Sequence, residues 1–336
     1  MKNKNILFVL GTVLVTLLPG WAKAQVDPHF SQYYAYPMWL NPALTGIVDG
    51  DYRVSANYRN QWVNIGKPFS TTGVSFDAAL PNNIGGGINI TNMSAGDAGY
   101  NYLNAMASMS YRGVRFGETG TSQLVFGIQA GMINRKIDPA KWQLGSQYDP
   151  VLGFDPAKPS GENINTTSSN VFDAAAGVMF FDGNPNHQFN PFGGFSAGHL
   201  TQPSDPFVSG DNRRLPVRYL AHGGTRIKLN NIFSLTPHGL YMRQGNAHET
   251  VVGIYGQAFL NEEFDFLLGA NYRVNDSAIP FAGFHFKSFV LGLSYDVNTS
   301  NLRRLVNGSN SFELSLSFIS RKKKVYSEEN FFCPRL

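Results

Sequence analysis

Hydrophobic and polar residues alternate with a period of two along most of this chain. In Tyr52–Trp62, Tyr52, Val54, Ala56, Tyr58, Asn60 and Trp62 share one face, and Arg53, Ser55, Asn57, Arg59 and Gln61 share the other. Side chains on a strand point alternately to opposite faces, so this pattern predicts a strand with one apolar and one polar side. Leu103, Ala105, Ala107, Met109 and Tyr111 alternate with Asn104, Ser108 and Ser110 in the same way. So do Val217, Tyr219, Ala221, Ile227 and Leu229 with Arg218, His222, Arg226 and Lys228, and Phe264, Phe266, Leu268, Ala270, Tyr272 and Val274 with Asp265, Asn271 and Arg273.

This reading predicts about fourteen strands, near 51–62, 70–80, 83–93, 100–113, 122–138, 171–183, 190–203, 216–230, 233–245, 248–260, 264–276, 277–287, 288–298 and 309–321. Most exceed the roughly 5–6 residues of a soluble strand. They match the roughly 9–11 residues that a tilted strand needs to cross a bilayer. The gaps also sort by parity. With the first strand starting in the periplasm, the outward gaps include 139–170, 203–215 and 299–308, while inward gaps such as 81–82 and 231–232 are short, although 114–121 and 184–189 are longer. Long outer loops, short periplasmic turns and an even strand count mark an outer-membrane barrel. A secreted β-sandwich would also alternate, but it would turn its polar face to water. Here the apolar face ends in Tyr52, Tyr58, Trp62, Tyr111, Tyr219, Tyr272 and Tyr295, which suits aromatic girdles at two lipid interfaces. The fold expected is an all-β transmembrane antiparallel barrel.

The first residues give a destination. Lys2 and Lys4, an apolar run from Ile6 to Leu18, and Ala22-Lys23-Ala24 read as a secretory leader over 1–24, cut between Ala24 and Gln25. The division expected is leader 1–24, lead-in or plug 25–50, barrel 51–321 and periplasmic tail 322–336. Of 27 Lys and Arg against 23 Asp and Glu, three lysines belong to the leader, so the mature chain is almost neutral and nucleic-acid binding has no support. A single cysteine, Cys333, leaves no internal disulfide. Charged residues are 15% of the chain against a usual quarter, a composition that suits a surface only partly wet.

Residues 27–46, DPHFSQYYAYPMWLNPALTG, alternate like neither strand nor helix. Pro28, Pro37 and Pro42 remove ladder donors. Phe30, Tyr33, Tyr34, Tyr36 and Trp39 would leave a large apolar area wet unless they lie against something, at roughly 25 cal/mol per Å². Packing on the barrel's periplasmic rim or within its lumen is one reading, and a docking surface for another protein is the other. Asp27, Asn41 and Pro42 belong to the same candidate surface. The lumen is expected to carry Arg53, Arg59, Arg218, Arg226, Lys228 and Arg273 with Asp77, Asp173, Asp265 and Asp296, either as a salt-bridged filling or as a basic channel. The loop 139–170, with Trp142, Tyr148 and Phe154, is a candidate for contact with a partner outside the cell, or a lid folded over the mouth.

Asp27-Pro28-His29-Phe30-Ser31-Gln32-Tyr33-Tyr34 and Asn41-Pro42-Ala43-Leu44-Thr45-Gly46 closely resemble the start of the PorP/SprF family. The resemblance continues in YRNQW (58–62), STTGVSFDAAL (70–80) and GLSYDVNTSNLRRLVNGSNSFELSLSF (292–318). It implies a monomeric outer-membrane barrel of the type IX secretion system of Bacteroidota, working with periplasmic ring and translocon components. In gliding species it implies delivery of a surface adhesin with a C-terminal sorting domain. The tail Phe331-Phe332-Cys333-Pro334-Arg335 is similar to the family's ending, with Leu336 where an aromatic residue is usual, and is a candidate docking element. The alternative function is a porin or small-solute channel. No metal-ligand spacing, HExxH or phosphate loop is present, and the glycine-rich stretch 84–90 lies in a strand, so no cofactor and no enzymatic activity are expected. His199, His222, His238 and His285 are read as polar lumen residues.

Overall fold

The computed structural model describes residues 27–62, 67–96, 99–117, 120–149, 151–162, 166–204, 214–261, 263–300 and 310–320. The leader with Ala24 and Gln25, and the tail with Phe331, Phe332, Cys333, Pro334 and Arg335, lie outside the described residues. Fourteen strands close an antiparallel barrel. They are β1 (Tyr52–Gln61), β2 (Phe69–Ala79), β3 (Ile84–Ala95), β4 (Tyr100–Phe116), β5 (Ser122–Lys136), β8 (Ser168–Asp182), β9 (Phe189–Gly198), β10 (Arg218–Lys228), β11 (Phe233–Gln244), β12 (Ala247–Asn261), β13 (Phe264–Arg273), β14 (Ser277–Phe286), β15 (Phe289–Asn298) and β16 (Ser311–Ile319). Two short strands, β6 (Tyr148–Asp149) and β7 (Gly153–Phe154), form a hairpin within the loop between β5 and β8. The barrel closes where β1 pairs with β16, from Arg53 opposite Ile319 to Asn60 opposite Phe312.

The alternation sets which face meets lipid. On β1, Ser55, Asn57 and Arg59 are buried while Val54 and Tyr58 are exposed. Val74 and Phe76 on β2, Ile88 and Ile90 on β3, and Leu314 and Leu316 on β16 continue the exposed apolar band. A barrel surface of this kind is unburied by protein but apolar, which only a hydrocarbon surround satisfies.

Connections after β1, β3, β5, β9, β11, β13 and β15 gather at one end and include 137–167, 199–217 and 299–310. Those at the other end run from two to six residues. Of the inward gaps that read as overlong, the first shrinks to 117–121 and the second keeps its length at 183–188. The shortening arises because β4 continues through a bulge between Tyr111 and Val114. Strand β9 ends at Gly198, short of the expected 203, because His199 turns into the left-handed region at φ 56° and carries its ring into the lumen. Residues 139–170, read as structureless, contain the β6–β7 hairpin. Its turn is closed by the Asp149 carboxylate, which accepts the N–H groups of Val151 (2.9 Å) and Leu152 (3.1 Å).

Candidate functional site

The stretch 27–48 fills the barrel. Its chain makes a 3-10 turn at Tyr33–Ala35, a single helical turn at Pro37–Leu40 and a second 3-10 turn at Pro42–Leu44. Proline begins two of these turns because its missing N–H is not needed there and its φ is already set. The Asn41 side chain accepts the Ala43 N–H at 2.9 Å, which closes the last turn. Such a compact path is possible only where other residues satisfy the remaining polar groups, and here the barrel wall does so.

At the long-loop end, the Asp27 carboxylate lies 2.6 Å from His199 Nε2, and Arg218 donates to it at 3.1 Å. His199 Nδ1 in turn lies 2.7 Å from Asp173. Burial raises the Asp27 carboxyl and the positive charges of His199 and Arg218 outweigh it, leaving Asp27 at about 2. Burial opposes a charge on His199, but the carboxylates of Asp27 and Asp173 hold it up to about 9. A doubly bonded imidazolium between two carboxylates is a strong clamp on the first described residue of the segment.

Deeper in, Glu313 on β16 accepts the backbone N–H of Ser31 (2.6 Å) and of Gln32 (3.0 Å). Ser31 Oγ donates to Asp296 at 2.7 Å, and Arg59 donates to the His29 carbonyl (2.7 Å) and to Asp296 (2.9 Å). The Tyr36 hydroxyl lies 3.0 and 2.9 Å from the carbonyl oxygens of Val74 and Ile90. Gln129 and Ser196 donate to the carbonyls of Met38 (2.8 Å) and Leu40 (2.9 Å), and Asn41 donates to Val178 (3.0 Å). Toward the short-turn end, Ser110 donates to the Thr45 carbonyl (2.6 Å) and Gly46 donates to Asp77 (2.8 Å). The segment therefore runs the length of the lumen and is held by strands on every side.

Its apolar side is equally matched. Tyr33, Tyr34, Leu40, Ala43, Leu44 and Ile47 form one buried cluster with Val125, Met179, Phe181, Phe192 and Leu220 of the wall. Phe30 packs edge-on against Tyr36 and Trp39, and Arg218 stacks over Trp39 at 5.1 Å. Close approach requires glycine on the wall. A Cβ at Gly177 would sit 2.0 Å from Asn41 Oδ1, and one at Gly85 would sit 2.2 Å from the Thr45 carbonyl oxygen. The glycine-rich 84–90 stretch is thus room for the segment.

Every residue named from this stretch, Asp27, Pro28, Phe30, Tyr33, Tyr34, Tyr36, Trp39, Asn41 and Pro42, comes together in the lumen, and all but Trp39 are fully buried. Of the two placements read for this packing, the periplasmic rim or the lumen, these residues take the lumen. Asp27 sits at the long-loop end, and the chain reaches the opposite end only at Asp51, whose N–H meets the Ser320 carbonyl at 3.0 Å. The reason is the position of the polar partners, since His199 and Arg218 lie at strand ends beside the long loop 199–217. Trp142 follows the 3-10 turn Pro139–Lys141 of the long loop, and Tyr148 and Phe154 stand on the two strands of its hairpin. Tyr148 and Phe154 pack on each other across the hairpin, at 5.7 Å between ring centres.

Arg53 pairs with Asp77, Arg59 and Arg273 share Asp296, and Asp265 faces His285, which is the salt-bridged filling among the described residues. Arg226 instead donates to Asn190. Glu313 and Glu249 escaped the sequence reading. Glu313 was legible as the lone inward carboxylate in a serine row of Ser311, Ser315 and Ser317. On the far side of the lumen Tyr255, Leu267 and Phe281 fill the space with their own side chains.

A cavity of about 210 Å³ lies at the long-loop end, lined by His29, Arg59, Arg273 and Asp296. Trp62, Glu249 and Asp276 wall it.

The sequence profile described as type IX secretion system membrane protein PorP/SprF matches residues 22–318. The chain belongs to the PorP/SprF family. That span covers the lumen segment and all the barrel strands except the last residue of β16. No curated protein matches the chain. Solved structures similar to this PorP/SprF barrel include the Ralstonia pickettii toluene transporter TbuX, at 11% identity and TM-score 0.49 over 84% of this chain and 93% of that one. The monoaromatic hydrocarbon channel CymD is similar at 12% identity and TM-score 0.49, over 89% and 96% of the two chains. The P. putida toluene transporter TodX is similar at 10% and 0.49, over 88% and 95%. Family and fold place this PorP/SprF protein in the outer membrane as a type IX secretion barrel.

Proposed function

We propose that this PorP/SprF barrel assists the export or surface anchoring of a partner protein, such as a large adhesin with a C-terminal sorting domain, alongside the ring and translocon components of the type IX system. The reading is non-enzymatic, and the long-loop end is taken as the outer face, as long loops are in outer-membrane barrels. The observation that carries it is the filled lumen. A channel for small solutes needs a continuous wet path, whereas this segment bonds to the wall at both ends and packs an apolar cluster across the middle. The hairpin bearing Tyr148 and Phe154, with Val151 and Leu152 at its tip almost wholly exposed, is the surface proposed to meet that partner.

Deleting the gene and comparing surface and medium proteomes with the parent tests the reading. Loss of one large surface protein is expected for a dedicated carrier and loss of many for a shared component. An unchanged secretome, together with open conductance from the purified protein, would overturn it in favour of a channel.

A further inference from the structure

The cavity at the long-loop end carries its charges in cancelling sets. Arg273 reaches Glu249 at 3.4 Å, Asp276 at 2.9 Å and Asp296 at 3.2 Å, and Arg59 reaches Asp296 at 2.9 Å. His29 stands 3.6 Å from Glu249. The floor atoms without a hydrogen bond among the described residues are also of both kinds, since Arg59 Nε is a donor and Asp296 Oδ1 an acceptor. A cation or an anion entering this space would meet its own sign beside the opposite one, and attraction and repulsion at similar distances offset each other. What the walls offer instead is hydrogen bonding in both directions without a bare charge. The Gln61 and Gln244 side chains line the same space, and an amide both donates and accepts.

The apolar wall breaks the strand pattern to be here. Alternation sends Trp62 to the lipid face with Tyr58 and Asn60. Its backbone instead takes the left-handed region at φ 59°, rare for a bulky side chain, and the residue lines the cavity. The ring is steadied edge-on by Phe69 at 4.8 Å, and Phe69 packs against the buried cluster of Met93, Tyr102 and Ile133. Backbone held in such a region gathers at binding and switch sites, where the surroundings over-determine it. At about 210 Å³ the cavity is smaller than the roughly 300–1,000 Å³ of drug-sized pockets and suits a single ring.

We propose that this vestibule binds a neutral sugar ring. A pyranose has apolar C–H faces and a rim of hydroxyl groups, each of them both donor and acceptor. One face lies on Trp62, while the rim meets Gln61, Asp276 and Glu249, whose charges are already balanced by Arg273. Contact with the indole buries apolar surface and asks for no charge on the ligand. The Asp276 side chain, 44% exposed, marks the mouth, so the sugar enters from the long-loop end. The same ring is presented by a free saccharide or by a polysaccharide anchored in the outer leaflet, and this inference stands apart from the secretion reading.

The test is calorimetric titration of the purified full-length barrel in an amine-oxide detergent, since a maltoside would itself compete. Methyl glucoside, methyl galactoside and methyl mannoside are the probes, with butylamine and butyrate as charged controls. Saturable binding of at least one glycoside, tighter than either control, is the expected result. Tighter binding of the glycoside than of the cell's delipidated outer-membrane polysaccharide assigns the site to free sugar, and the reverse order assigns it to the anchored polymer. Trp62→Ala is expected to weaken the glycoside about tenfold, while Trp62→Phe keeps most of the affinity. Gln61→Ala repeats the test from the rim, with a loss of about threefold. Heat-modifiable gel migration reports that each barrel is folded. No saturable glycoside binding, equal or tighter binding of a charged control, or unchanged affinity in a folded Trp62→Ala protein would overturn the proposal and leave the secretion reading intact.

Discussion

Two segments of this PorP/SprF protein fall outside its strand pattern, and they meet opposite fates. The stretch 27–48 and the loop 137–167 are both rich in aromatic and proline residues and both rely on short turns. In the first, Tyr36, Met38 and Leu40 are wholly buried. In the second, Val151 is 89% and Leu152 86% exposed. The difference lies in where the polar partners come from. The lumen segment draws them from the wall, through Glu313, His199, Arg59, Gln129 and Asp77. The loop draws them from itself, through Asp149 to Val151 and Leu152, Lys158 to Asp149, and Gln147 to the Lys158 carbonyl. A segment whose polar groups depend on its surroundings is part of the core. One that satisfies its own can stand in water and offer apolar residues to something else.

Removing residues 29–44 should break the comparison most severely. The barrel would lose the contents of its lumen, and planar-bilayer recordings should show open conductance where the intact protein shows little. A non-conducting deletion protein that still inserts would mean the wall closes without the segment.

Next in size is Arg59→Ala. It leaves Asp296 with one fewer partner in a buried network and uncaps the His29 carbonyl, so a loss of about 3–5 kcal/mol is expected in denaturant unfolding. The equivalent loop change, Lys158→Ala, breaks a half-exposed pair and should cost no more than about 1 kcal/mol. Similar losses at the two sites would erase the distinction drawn above.

Stability against pH sharpens the role of the clamp at Asp27. The carboxyl of Asp27 lies below its ordinary 3.8, so its contribution is complete above that value and fades as pH falls through about 2. His199 lies above its ordinary 6.5, so its contribution is complete below that value and fades as pH rises through about 9. The contribution of this clamp to thermal unfolding should therefore be flat from about pH 4 to 6.5 and decline on the alkaline side. In His199→Asn that alkaline decline should disappear, and its persistence would assign the effect to other groups.

The smallest structural effect belongs to the hairpin tip. Val151→Asp with Leu152→Asp should change stability by no more than about 0.5 kcal/mol per site, since both side chains stand in water. On the proposed function, the same pair should lower surface display of the partner in whole cells. Unchanged display would move the partner contact away from this hairpin.

What was legible beforehand follows from local chemistry. Period-two alternation is written residue by residue, so β1 and β13 were placed almost to their ends, and the lipid face with Tyr58, Phe266 and Tyr272 came with them. Strand ends set by distant bonds were not legible. Strand β9 stops early because His199 turns to reach Asp27, some 170 positions away in sequence.

Within the site, the arginines and aspartates of the inward face could be named, but their pairing could not, because register decides it. Asp296 serves both Arg59 and Arg273 because β15, β1 and β13 bring them within bonding distance across the lumen. The sequence by itself determined a transmembrane barrel and an apolar lead-in that had to be covered. Only the tertiary structure decided that the cover is the lumen, that the segment starts at the long-loop end, and that Arg59 and Arg273 share Asp296. Alternation is a property of neighbours along a chain, whereas those three facts depend on contacts between strands hundreds of residues apart.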